Sequence, residues 1–155
     1  MSAPELRPYQ VDVIERVRAE IAAGHRRILL VAPTGSGKTV IAGAMIAKTI
    51  ARGHRAMFCA HRRELVQQAA NKLDDIGFDA GVILPGYPMR LEEPAQVASI
   101  ASLHARAIRS AAIELPHADV VFVDEGHHAP AATYRRPLRP ECADSRARSA
   151  PGRPP

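Results

Sequence analysis

A chain of 155 residues has room for one domain with a substantial core and hardly for two. It contains no apolar run of about eighteen residues and does not open on the basic-then-apolar pattern of a signal peptide, which argues against a membrane span or export and predicts a cytoplasmic protein. The net charge of +5 hints only weakly at an acidic partner, because Arg139, Arg146, Arg148 and Arg153 against Glu141 and Asp144 account for two of those charges.

From Pro8 to Ala23 the apolar residues Val11, Ile14, Val17 and Ile21 recur at helical spacing, with Gly24 placed as a stop. Ile28 to Val31 is an apolar run too short for a helix and reads as a strand. A glycine-rich turn follows at once and opens a second helix, which Gly53 ends. Ala56 to Ala60 read as a strand containing Cys59, a core residue. Cys59 and Cys142 show neither a disulfide framework nor a zinc-ligand spacing, so free thiols are expected. Leu65, Ala69, Leu73 and Ile76 mark the inner stripe of a helix ending at Gly77. Next come a short run at Gly81 to Leu84, a loop with Pro85, Gly86 and Pro88, and a strand at Gln96 to Ser99 leading into a helix through Ile108. Val120 to Val123 read as a buried strand. Strands alternating with helices at this period predict an α/β domain, a parallel sheet covered by helices on both faces with right-handed crossovers. Past residue 136 no apolar period survives, and the Pro- and Arg-rich stretch 137–155 is expected to be a disordered tail.

Two segments carry chemistry. Ala32-Pro33-Thr34-Gly35-Ser36-Gly37-Lys38-Thr39 follows a strand-like run and opens a helix, the context in which a glycine-rich turn converges backbone N–H groups on phosphate oxygens. Ala32 stands where the usual pattern has its first glycine. Thr34, Gly35, Ser36 and Gly37 would cradle a nucleoside triphosphate, Lys38 would meet its terminal phosphates, and the Thr39 hydroxyl would hold magnesium. Far downstream, Val120-Val121-Phe122-Val123 delivers Asp124 and Glu125 to the carboxyl end of a strand, where ligands sit in open α/β sheets. Asp124 would orient magnesium and Glu125 would polarise an attacking water. Taken singly, each half has a plain alternative: a flexible turn with a solvated lysine, and two exposed acids capping a strand. Together they point to ATP and Mg2+ as cofactors.

Asp124-Glu125-Gly126-His127 resembles the Asp-Glu-Ala-His box of superfamily 2 helicases, with glycine for alanine. Other blocks stand in the family's order. Leu6-Arg7-Pro8-Tyr9-Gln10 resembles its adenine-recognition segment, Ala60-His61-Arg62-Arg63-Glu64-Leu65 its motif Ia, and Val97-Ala98-Ser99-Ile100 a strand end facing the nucleic-acid backbone. The match covers residues 6 to about 136 and is most similar to bacterial and phage helicases related to type III restriction subunits. The resemblance implies a RecA-like P-loop NTPase domain over residues 1–136, the first of two motor domains. It implies adenine reading by Gln10 and Arg7, with Tyr9 packing nearby, although these residues also suit a helix start with proline in its first turn. It implies nucleic-acid phosphate contacts from Arg62 and Ser99, DNA rather than RNA as partner, and a coupling role for His127. A metal site at His127 and His128 lacks further ligands at suitable spacing.

The family's Ser-Ala-Thr-like motif and its second domain, which brings an arginine finger, do not follow in this sequence. Ala129 to Arg136 still match the family's continuation, and the break at Pro137 is what a frameshift in a GC-rich frame produces. The expectation is therefore a truncated helicase fragment with little activity alone, or, from a different class, a nucleotide-binding regulatory module without motor activity that works with a partner chain. The phosphate loop by itself also admits a small-molecule kinase.

Overall fold

The structure is a computed structural model and describes residues 6–33, 35–110 and 113–125. Its elements in chain order are α1 (Pro8–Ala22), α2 (Lys38–Ile50), β1 (Ala56–Ala60), α3 (Arg63–Asp75), β2 (Gly81–Ile83), β3 (Ala95–Ser99), α4 (Ile100–Leu103) and β4 (Val120–Val123). The helix expected to run through Ile108 begins as α4 and continues as a π-helical stretch over His104–Arg109. The helix stops fall beside Gly24, Gly53 and Gly77, all three at positive φ.

The four strands form one parallel sheet in the order β2-β3-β1-β4. β1 and β3 are central and every one of their residues is buried. Alternation along β1 splits the core into two layers. Ala56, Phe58 and Ala60 face one way, onto Ile46 of α2 and Val66, Ala69 and Leu73 of α3. Met57 and Cys59 face the other, onto Ile100, Leu103 and Ile113. The expected α/β sheet with helices on both faces is what forms. Burial among these apolar side chains pushes the Cys59 thiol up to about 12, so it is a core group with no nucleophilic thiolate near neutral pH.

Two expectations about strands do not hold. Ile28–Val31 pairs with nothing and is no strand in the described sheet; Leu29 and Val31 stand 79% and 84% exposed, while Ile28 and Leu30 are about half that. All four side chains of the run are exposed, the even-numbered pair less so. An apolar run specifies a preference for extended backbone, but a strand exists only where a neighbour accepts and donates its hydrogen bonds. The second correction concerns the edge of the sheet. β4 was expected to be buried, yet it pairs only with β1, and Val121 is 37% exposed, because no described strand covers its outer edge.

The sheet's far side is tied by Arg55, the residue before β1. Its guanidinium donates to the carbonyls of Leu91 (2.9 Å), Glu92 (3.1 Å), Glu93 (2.7 Å) and His117 (3.3 Å), and its backbone N–H donates to Asp119 Oδ2 at 2.7 Å. One side chain thereby clamps the loop entering β3 to the loop entering β4. The Arg55 N–H, and secondarily the neighbouring His117, holds the Asp119 carboxyl below the usual carboxylate range.

Candidate functional site

The phosphate loop lies between the exposed segment and α2. Gly37 is the cap residue of α2 and sits at φ +74°, a conformation that costs an L side chain about 1–2 kcal/mol. Beyond it the first turn of α2 leaves backbone N–H groups without intrahelical partners, and the helix dipole adds partial positive charge at the same end. Gly35 is also at positive φ. The Ser36 hydroxyl is shielded from solvent and has no hydrogen-bond partner. Lys38 Nζ donates to the carbonyls of Ala32 (3.0 Å) and Pro33 (3.1 Å), folding its charge back over the loop. An orphaned hydroxyl, unpaired helix-start N–H groups and a loop-facing ammonium are a donor set that fits a phosphate anion. Thr34 lies outside the described residues.

The loop is attached to α1. Tyr9 OH donates to the Ser36 carbonyl at 2.7 Å, across 27 residues of chain. Gln10 Nε2 lies 3.4 Å from the same carbonyl and 3.4 Å from Tyr9 OH, while its Oε1 accepts from the Arg7 N–H at 2.9 Å. Gln10 is only 5% exposed and abuts Gly37: a Cβ on that glycine would stand 2.6 Å from Gln10 Nε2. Arg7 is exposed at the start of α1. Sequence reading placed Tyr9 near the site but missed its bond to the loop, and no local signal could have shown it.

Because all strands run the same way, their carboxyl ends share one edge. The register sets Ala60 opposite Ser99 and Cys59 opposite Val123, so Ser99 and Asp124 flank the end of β1 at one level. Asp124 continues the ladder by donating its N–H to the Cys59 carbonyl at 2.9 Å, and its Oδ1 accepts from the Glu125 N–H at 3.0 Å. Glu125 turns the chain away at φ +51°, an uncommon conformation for a non-glycine residue. The connection leaving β1 crosses the face covered by α3, and that leaving β3 crosses the face covered by α4. Adjacent strands whose connections part to opposite faces make a crevice at their carboxyl ends. Arg62, exposed at the start of α3, and Ser99, 6% exposed at the start of α4, stand at that point. Arg63 is turned over the Tyr87 ring, 6.0 Å from its centre.

The structure thus brings Arg7, Tyr9 and Gln10 to the phosphate loop, and Arg62, Ser99, Asp124 and Glu125 to one sheet edge. Among the described residues no hydrogen bond or ion pair links Lys38 or Thr39 to Asp124. His127 lies outside the described residues, as do Cys142 and the stretch 137–155. No helix among the described residues is long and apolar enough to cross a membrane.

The profile of the family described as "Type III restriction enzyme, res subunit" matches residues 3–142. The chain is 32% identical over 143 residues to the "Putative ATP-dependent helicase IRC3" of Saccharomyces cerevisiae, covering 86% of this chain and 20% of that protein. It is 32% identical over 138 residues to the "Type I restriction enzyme EcoKI endonuclease subunit" of Escherichia coli, covering 82% and 12%. A "DExH-box ATP-dependent RNA helicase" of Arabidopsis thaliana chloroplasts is 25% identical over 127 residues, covering 77% and 11%. The chain spans about a fifth or less of the length of these relatives. With the phosphate loop, the acidic strand end and a parallel sheet between them, the chain belongs to the helicase-like family of the type III restriction enzyme res subunit.

Proposed function

We propose that residues 1–136 are the ATP-binding part of an ATP-dependent helicase or translocase acting on nucleic acid in the cytoplasm, with DNA rather than RNA as its track. The observation that carries this reading is the phosphate loop itself, a glycine-rich turn at the start of α2 with a buried, unpartnered Ser36 hydroxyl, inside a helicase-family match. The restriction-enzyme name of the Escherichia coli relative supports DNA, and the RNA helicase name of the Arabidopsis thaliana relative speaks for the other track.

In this reading Gly35, Ser36 and Gly37, with Thr34, surround the phosphates. Lys38 releases the carbonyls of Ala32 and Pro33 to meet the terminal phosphate, a side-chain rotation that leaves the backbone in place. Thr39 and Asp124 hold magnesium, which when bound offsets charge on the transferring phosphoryl oxygens. Glu125 takes a proton from the attacking water. Gln10 and Arg7 face the adenine; the Gln10 Oε1 keeps a second lone pair beyond its bond to the Arg7 N–H, which can accept from the adenine amino group with the tether to the loop in place. Arg62 and Ser99 contact strand phosphates at the crevice between β1 and β3, and His127 couples the two sites.

Calorimetric titration with magnesium-ATP tests the site. Wild type binds, and Lys38→Ala weakens binding by about tenfold or more, the loss of a charge-assisted contact. Unchanged affinity in the variant sinks the assignment.

A second reading comes from a different class of protein. In it the chain is a nucleotide-binding module without motor activity of its own, completed by a partner chain. ATPase activity appearing only on addition of a second chain separates the two.

A further inference from the structure

We infer that Tyr9 is a positioning residue for the phosphate loop, setting the direction in which the loop presents its backbone donors. The inference rests on the nucleotide reading and concerns how that site is held. Its basis is the carbonyl of Ser36, which accepts from Tyr9 OH at 2.7 Å and lies 3.4 Å from Gln10 Nε2.

A peptide unit is planar, and no cis bond occurs in the described chain, so the Ser36 carbonyl and the Gly37 N–H point in opposite directions. Fixing the carbonyl toward α1 turns the Gly37 N–H away from α1. That is the donor at the entry to α2, where phosphate oxygens are bound when they are bound at all. The Ser36 N–H donates to the Pro33 carbonyl at 3.2 Å and the Gly37 carbonyl accepts from the Ile41 N–H at 3.0 Å, but among the described residues the Ser36 carbonyl itself is held by the Tyr9 and Gln10 side chains alone, between two glycines at positive φ.

The hydrogen-bond chain has one sense. Tyr9 OH has one proton, which it gives to the Ser36 carbonyl, and its lone pair receives Gln10 Nε2 at 3.4 Å. Gln10 in turn is anchored through Oε1 to the Arg7 N–H, so the start of α1 and the loop are tied as one unit. Tyr9 itself is 41% exposed, and removal of its hydroxyl leaves no buried cavity. The hydroxyl acts on the phosphate side of the ligand, independent of the base.

The test is Tyr9→Phe in the full 155-residue chain, with binding of ATP, GTP and inorganic tripolyphosphate measured by calorimetry in magnesium. The expected result is a loss of affinity of about threefold to tenfold, the same factor for every one of these ligands that wild type binds. The unliganded melting temperature should fall by no more than the few degrees that one exposed hydrogen bond is worth, whereas a tyrosine that only supported the fold would leave the affinity of the folded chain for every ligand unchanged. Loss confined to ATP overturns the inference, because Tyr9 would then act on the base; unchanged affinity for all overturns it as well. Amide hydrogen exchange without ligand keeps the two levels apart. Should wild type bind none of the three, the nucleotide reading fails, and faster exchange at Gly37 in Tyr9→Phe still reports a loop held by Tyr9. Equal exchange in both proteins removes the tether.

Discussion

Gly35 and Gly37 share a backbone conformation, at φ +80° and +74°, but differ in what a side chain would meet. A Cβ at Gly35 finds nothing within 4 Å, whereas one at Gly37 stands 2.6 Å from Gln10 Nε2. Alanine at either position costs about 1–2 kcal/mol for the left-handed backbone, offset by about 0.4–1 kcal/mol from the stiffer unfolded chain, which leaves roughly 1 kcal/mol. At Gly37 the Gln10 amide must also swing away, giving up its contacts with the Ser36 carbonyl and Tyr9 OH, for about 1 kcal/mol more. Gly35→Ala should therefore lower the melting temperature by roughly 2–4 °C and Gly37→Ala by about twice that. Circular dichroism melts and urea curves measure both. A double-mutant cycle isolates the collision: in a Gln10→Ala background the excess cost at Gly37 should vanish. Equal costs at the two glycines, or an excess that persists without Gln10, would refute the contact between α1 and the loop.

The Arg55 clamp makes a second prediction. Arg55→Met removes four donations to backbone carbonyls but keeps the backbone bond to Asp119, and with a half-buried guanidinium whose acceptors water partly replaces, roughly 2–4 kcal/mol of stability should be lost in urea denaturation. Asp119 makes a third. Its carboxyl is held low in the fold, so the stability it adds is present above the ordinary carboxylate range near about pH 4 and is lost as pH falls through the depressed folded value. Asp119→Asn should melt below wild type at pH 7, with the gap closing in acid. Asp79, held low by Arg90, titrates in both proteins and cancels in the difference. A gap that is constant with pH would count against the Asp119 linkage.

Much of the chain was legible because its signals are local. Apolar residues at Leu65, Ala69 and Leu73 define the face of α3, glycines stop the helices within a few residues of where they stand, and a continuous run such as Ala56–Ala60 announces a strand buried on both sides. The glycine-rich turn before α2 and the acidic end of β4 were visible for the same reason: each is written in adjacent residues. Ile28–Val31 and Val120–Val123 carry equally strong apolar runs, yet among the described residues one joins no strand ladder and the other has a neighbouring strand on one side only. Sequence marked both as apolar strand candidates; only the tertiary structure decided which neighbours supplied hydrogen bonds and cover. The bond from Tyr9 to Ser36 and the four carbonyls gathered by Arg55 span 27 to 62 residues of chain, and each depends on where two separate segments are packed. Local pattern fixes the conformation a segment prefers, whereas its partners are set by the packing of the whole sheet.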